Sequence, residues 1–210
     1  LLMKIFYRVV GLELVRDSGI LNLLFLFGVA GMIVGSLCAI TCHDLRRMVA
    51  YSSVAQIGYL YAGMGLAIEA GFVAAMYHMI MHAFAKSSLF IASSGLADAS
   101  GNSKRFSDLR GSGYRYPAAG ICFTISAFSM VGVPILGGFI SKLYFSQAAF
   151  DYGGVHMWVM LLALVVSTLL NVVYFVKTVI TLYRKPREGF DPPAFSRSRR
   201  ATLAMWLFVL

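Results

Sequence analysis

Two stretches of this chain, residues 18–42 and 48–68, contain no aspartate, glutamate, lysine or arginine. Three longer stretches hold one such charge each: Lys86 within 70–97, Lys142 within 116–150 and Lys177 within 152–183. A helix that crosses a bilayer needs about 20 consecutive, mostly apolar residues, and every one of these runs is long enough. In lipid the backbone must satisfy its own hydrogen bonds, which leaves helices or a closed barrel. The alternation of a barrel strand is absent, so helices are expected. Composition agrees: 13% of the 210 residues are charged, against about 25% in an ordinary soluble domain. The expectation is an all-α, polytopic transmembrane bundle forming one domain over 1–210. Its crossings are at 18–42, 48–68, 70–97, 116–150 and 152–183, with partial helices at 1–12 and 201–210. Those two partial helices are read as cut in mid-span, so the chain is expected to be a piece of a larger protein.

The run 116–150 exceeds one straight crossing and contains Gly132-Val133-Pro134, then Gly137-Gly138. Proline removes an amide donor and clashes with the preceding turn, so one helix broken near Pro134 is expected, with Gly132, Pro134, Gly137 and Gly138 forming the break. Charge decides whether this run crosses once or twice. Counted once, the segments 43–47, 98–115 and 184–200 share a side and carry two, four and six basic residues, against Arg8 and Arg16 opposite. Counted twice, the contrast falls to six against eight. The positive-inside rule favours a single broken crossing, with the basic loops cytoplasmic in the cell's inner membrane.

The net charge of +9 is thus loop chemistry that orients the chain, and no nucleic-acid partner is expected. No signal peptide is visible at the start. Cys38, Cys42 and Cys122 lie within apolar runs without a second pair of ligands, so they are read as packed thiols and no metal is expected. No dinucleotide glycine fingerprint and no cysteine cluster for iron–sulfur ligation occurs, so neither a cofactor nor a catalytic residue is assigned.

Ionisable groups inside spanning helices are costly and point to function. His78, His82 and Lys86 stand at i, i+4 and i+8. Four residues advance a helix by about 400°, so the three line one face over about 12 Å of rise. Imidazoles titrate near neutrality, and an amine in low dielectric responds to neighbouring charge, so this stripe suits proton transfer. The alternative is polar glue between helices. Lys142 follows the break, where freed carbonyls and water build transporter sites at membrane depth; its alternative is snorkelling to an interface. Lys177 is read as structural, Glu69 as interfacial, and His43 and His156 as solvated or interfacial.

Three ordered motifs then resemble a known family. They are Asp44-Leu45-Arg46-Arg47-Met48-Val49-Ala50-Tyr51-Ser52-Ser53 with Gln56-Ile57-Gly58-Tyr59, the stretch from His78 to Lys86, and Gly132-Val133-Pro134 leading to Gly138-Phe139-Ile140-Ser141-Lys142. Together they resemble the antiporter-like, proton-conducting membrane subunits of respiratory complex I, of membrane-bound hydrogenases and of multi-subunit sodium/proton antiporters. The resemblance implies a larger fold of two inverted repeats, of which this chain holds the second. It implies that Lys142 is the ionisable residue of the second broken helix, that His78, His82 and Lys86 belong to a hydrophilic axis, and that Lys4 links the two half-channels. The function so implied is proton translocation within an NADH dehydrogenase-type complex, by a subunit with no redox centre of its own. Its partners would be other membrane subunits, lipid and protons. A sodium/proton antiporter subunit, carrying Na+, and a non-transporting structural subunit are the alternatives.

Overall fold

The computed structural model describes residues 19–186 and 199–209, together with Ile5, Val9, Gly11 and Leu14. The expectations placed on Lys4, on the partial helix at 1–12 and on much of the last basic segment lie outside the described residues. Among those described, the regular structure is helical: α1 (Ile20–Thr41), α2 (Leu45–Gly65), α3 (Glu69–Asp98), α4 (Ser112–Arg115), α5 (Pro117–Val131), α6 (Gly137–Tyr152), α7 (Gly154–Leu182) and α8 (Arg199–Val209). By length and hydropathy alone, α1 and α7 are the two helices fit to cross a membrane, each with a mean hydropathy of 2.5. α2 and α3 are as long but less apolar, because they carry the polar residues of the interior.

Helix ends follow local chemistry. The Asp44 carboxylate accepts from the amides of Arg46 (2.9 Å) and Arg47 (3.1 Å), which satisfies two of the orphan donors at a helix start. α2 therefore begins at Leu45, inside the charged motif, and not where the charge-free run begins. Pro117 opens α5, where its missing amide costs nothing.

α1 and α2 pack antiparallel along small residues. A Cβ added at Gly35 would stand 2.5 Å from the Ala55 amide nitrogen, and one at Gly58 would stand 2.5 Å from that of Met32. At these glycines the two backbones touch, as small residues allow in membrane helices. α3 runs antiparallel to α2, since Gly71 meets Gly63 and Arg46 bonds Ser94.

The broken run follows a single path. Along α3, Gly95 faces Tyr116 and Ala119, Met81 faces Gly137, and His78 meets Ser141. α5 and α6 therefore continue one path antiparallel to α3, interrupted over residues 132–136. Gly132 takes a left-handed φ of 91° and ends α5 by donating to Phe128 and Ser129. The basic segments gather at one end of the bundle. The Leu45 amide donates to the Lys104 carbonyl (2.9 Å), the Phe106 amide donates to the His43 carbonyl (3.3 Å), and Gly111 abuts Pro186.

Among the described residues, buried apolar side chains form two large clusters, one around Leu45, Leu89, Phe123 and Phe175, the other around Phe25, Met32, Tyr59 and Phe145, and a small one of Leu21 and Ala67. Buried polar side chains include Ser52, Gln56, His78 and Lys86.

The seam gives a direct test. Gly58→Leu forces a side chain into the α1 backbone, an overpacking that costs about 1–3 kcal/mol. The detergent-solubilised full-length protein should unfold several degrees earlier or fail to accumulate, while Ile57→Leu, on an exposed position, should behave as wild type. An unchanged melting curve for Gly58→Leu would show that the seam tolerates bulk.

Candidate functional site

The α3 stripe turns inward. Lys86 is 5% exposed and His78 4%, and His82, a turn from each, is half-buried. The Lys86 Nζ donates to the Val49 carbonyl of α2 (2.8 Å) and to the Ser52 hydroxyl. Ser52 in turn donates to the same carbonyl (2.8 Å). The His78 and His82 rings lie 6.0 Å apart and nearly parallel. On its other side the His78 Nδ1 is 3.0 Å from the Ser141 hydroxyl, and the ring stacks on Tyr59 at 5.4 Å and meets the Phe145 edge at 5.5 Å. Which imidazole nitrogen carries the proton is set by such partners.

Lys142 completes the row from the far side of the break. It is half-buried, and its Nζ donates to the Val131 carbonyl, the last residue of α5. An unbroken helix would spend that carbonyl on an amide four residues later. The break frees it for the amine. The Lys142 stem also passes where a Gly132 side chain would be, 3.0–3.2 Å from an added Cβ. Glycine is needed there twice, for its left-handed φ and for that space. Ser141, next to Lys142, donates to the Gly138 carbonyl (2.9 Å) while holding His78. Gly137 and Gly138 let α6 approach Met81 and the Ser129 carbonyl closely. Pro134 lies within the interruption.

Both amines donate only to neutral oxygens, and neither has an ion pair among the described residues. The structure thus sets Lys86, His82 and His78 along one face of α3, with Ser52 bonded to Lys86, and with Ser141, the neighbour of Lys142 on α6, bonded to His78. The motifs contain both serines, but the sequence offers no charge to single them out. His78 Nε2 and His82 Nδ1 are buried without a hydrogen-bond partner. A cavity of about 380 Å³ opens beside the break, lined by Met81, Ala85, Ser126, Ser129 and Gly137 among others. A larger one, of about 620 Å³, lies at the basic end between Cys38 and Val54 and does not touch the row.

The remaining candidates fall outside it. Lys177, Glu69 and His43 are exposed, and His156 packs between Phe25 and Tyr152 at the opposite end of the bundle. Cys42 donates to the Cys38 carbonyl (3.2 Å). No group of three or more potential metal ligands occurs among the described residues.

Comparison with known proteins agrees with this architecture. A family described as NADH:quinone oxidoreductase/Mrp antiporter, transmembrane region, matches residues 2–171. Subunit N of NADH-quinone oxidoreductase from Desulforudis audaxviator is 37% identical over 174 residues, covering 82% of this chain and 34% of the relative. The subunit N of Desulforamulus reducens is 33% identical over 159 residues, covering 75% and 32%. The chain thus spans about a third of the length of the curated relatives it matches. Among solved structures, a chain of the Mrp complex from Dietzia sp. superposes with a TM-score of 0.74 at 27% identity, covering 89% of this chain and 36% of that one. A chain of Thermus thermophilus respiratory complex I shares the fold, with a TM-score of 0.66 at 23% identity, covering 90% and 41%.

The Ser52–Lys86 contact predicts a coupling. Ser52→Ala strips a buried amine of one of its two oxygens and should cost about 1–3 kcal/mol of stability. Lys86→Met removes the group that needs solvating, so adding Ser52→Ala to it should cost far less. Thermal unfolding of the solubilised protein measures both, and equal losses in the two backgrounds would separate the residues energetically.

Proposed function

The chain belongs to the NADH:quinone oxidoreductase/Mrp antiporter transmembrane family, and we propose on that footing that its parent protein translocates protons through the row Lys86–His82–His78–Ser141–Lys142. The observation that carries the reading is a buried lysine and a half-buried one, whose amines meet only neutral oxygens, with two histidines on the same α3 face as Lys86. A non-transporting scaffold would have no use for them there: two amines at depth cost several kcal/mol of solvation that apolar residues would not.

The row works by repulsion. In low dielectric, two positive charges a few ångströms apart oppose each other strongly, so protonating one site expels a proton from the next. The imidazoles accept at one nitrogen and release at the other. Ser141 hands His78 on to the α6 side, where Lys142 waits at the break. Charge arriving from a neighbouring subunit would drive the row from one end. Lys4 is proposed as the link to the other half of the protein.

The parent is proposed as a subunit of a complex I-like NADH:quinone oxidoreductase or a related hydrogenase, assembled with other membrane subunits in the lipid of the cell's inner membrane. The gathering of the basic segments at one end supports a cytoplasmic position for that end, by the positive-inside rule. A second reading, a subunit of a multi-subunit Na+/H+ antiporter, is favoured by the likeness to a chain of an Mrp complex; it differs in requiring Na+.

The test is proton pumping in membrane vesicles carrying the full-length protein within its complex, with assembly followed on native gels. Lys142→Ala and Lys86→Ala should each lower pumping by about tenfold or more, as loss of a positioned proton-transfer group does, while the complex stays assembled. Normal pumping in both would leave the lysines as packing residues. A strict requirement for Na+ would replace the first reading by the second.

A further inference from the structure

At the basic end of the bundle two cavities meet on shared residues. One, of about 450 Å³, lies between the start of α2 and the connection 99–111, with Arg47, Arg105 and Ser107 in its lining. The other, of about 620 Å³, is a groove between α1 and α2, walled by Cys38, Ala50, Tyr51 and Val54 among others. His43, Asp44 and Arg47 belong to both. A charged chamber therefore opens into a largely apolar groove, and neither shares a residue with the row along α3.

Backbone contacts hold the chamber in shape. The Leu45 amide donates to the Lys104 carbonyl, the Phe106 amide donates to the His43 carbonyl, and Asp44 pairs with Arg105 in an antiparallel bridge. Arg47, on the first turn of α2, and Arg105, on the bridged connection, are thus anchored beside one another. Neither guanidinium has a hydrogen bond or an ion pair among the described residues, whereas Arg46 bonds Ser94 (2.9 Å) and Arg115 bonds Ser100 (3.0 Å). A free guanidinium presents a planar fork of donors that matches phosphate oxygens. Asp44, the acid of the lining, has its carboxylate engaged by the Arg46 and Arg47 amides. Two guanidiniums against one carboxylate leave one positive charge, and a phosphodiester carries one negative charge.

The groove supplies the second half of the recognition. Arg47, Ala50, Tyr51 and Val54 stand at i, i+3, i+4 and i+7 and share one face of α2. Tyr51 and Val54 are 43% and 47% exposed, so this face is open to the bilayer, charged at its outer end and apolar toward the middle. A tyrosine suits the headgroup level, with its ring in apolar surroundings and its hydroxyl among polar ones. Past Val54 the groove closes, where a Cβ added at Gly35 would stand 2.5 Å from the Ala55 amide nitrogen. A free anion would fill the chamber and have no use for the groove.

We propose that the two cavities together seat one anionic phospholipid, its phosphate between Arg47 and Arg105 and an acyl chain along the groove past Tyr51 and Val54. Basic pockets beside spanning helices take anionic head groups in this way. A choline head would bring a cation of its own to Arg47, Arg105 and the adjacent exposed Lys104, so the site rejects it by repulsion. The bound lipid ties the connection 99–111 to α1 and α2 from outside and stabilises the folded protein by its binding.

The experiment uses the full-length protein in nanodiscs, one set of phosphatidylcholine alone and one with phosphatidylglycerol added. Native mass spectrometry should find phosphatidylglycerol retained in preference to phosphatidylcholine. Arg47→Gln combined with Arg105→Gln should weaken that retention about tenfold or more, the worth of a hydrogen bond to a charged group. Val54→Trp, which fills the groove and leaves both arginines in place, should weaken it too. All three positions are exposed, so the variants should melt as wild type does in phosphatidylcholine alone, while phosphatidylglycerol should raise the melting temperature of wild type only. Equal retention of the two lipids by the wild-type protein overturns the inference without recourse to any variant. So does an unchanged preference in the double arginine variant. Displacement of the lipid by inorganic phosphate, or indifference to Val54→Trp, would give the chamber to a free anion and overturn the lipid.

Discussion

A buried amine must be solvated by something, and in this protein that requirement organises the interior. Lys86 takes its oxygens from α2, and Lys142 takes one from the end of α5. Each bond joins helices that apolar packing alone would leave free to slide. Removing the amines would be energetically easy, because apolar replacements of similar volume are often neutral or stabilising. Their presence is therefore not explained by stability alone.

The break in the α5–α6 path is the other half of the same solution. A continuous helix has no spare carbonyl to offer a lysine in mid-membrane. Interrupting it over five residues supplies one, and the left-handed Gly132 turns the chain while leaving room for the Lys142 stem. Ile135, in the same segment, has a φ of 81° and is almost fully exposed. A β-branched residue in that region is strained, and backbone bonds on either side, from Val133 to the Phe128 carbonyl (3.0 Å) and from Leu136 to the Val133 carbonyl (3.2 Å), tie the segment down.

Much of this was legible in the sequence. The three-residue stripe on α3 follows from spacing, because four residues return nearly to the same face whatever the tertiary structure. The break follows from Gly132-Val133-Pro134, whose backbone chemistry is local. What could not be read is which neighbour each group meets. Ser52 lies in a motif with Ser53, and nothing in the sequence says that one bonds Lys86 while the other bonds only the Val49 carbonyl of its own helix. Asn171 sits in a strongly apolar run and carries no charge, so it passes unnoticed until α1 brings Ser36 against it. Uncharged polar residues acquire meaning only from packing. Lys4 stays where the sequence left it, outside the described residues.

The glycine seam between α1 and α2 has an electrical consequence. Where Gly35 and Gly58 let the two backbones touch, no gap is left for a water molecule. Ser36, the next residue along α1, belongs to the polar interior, while Val34 and Leu37 point outward. The seam is thus a dielectric wall one helix thick, with exchangeable protons on its inner side and apolar side chains on its outer side. Small residues thus close the boundary between polar interior and apolar exterior more tightly than large side chains would.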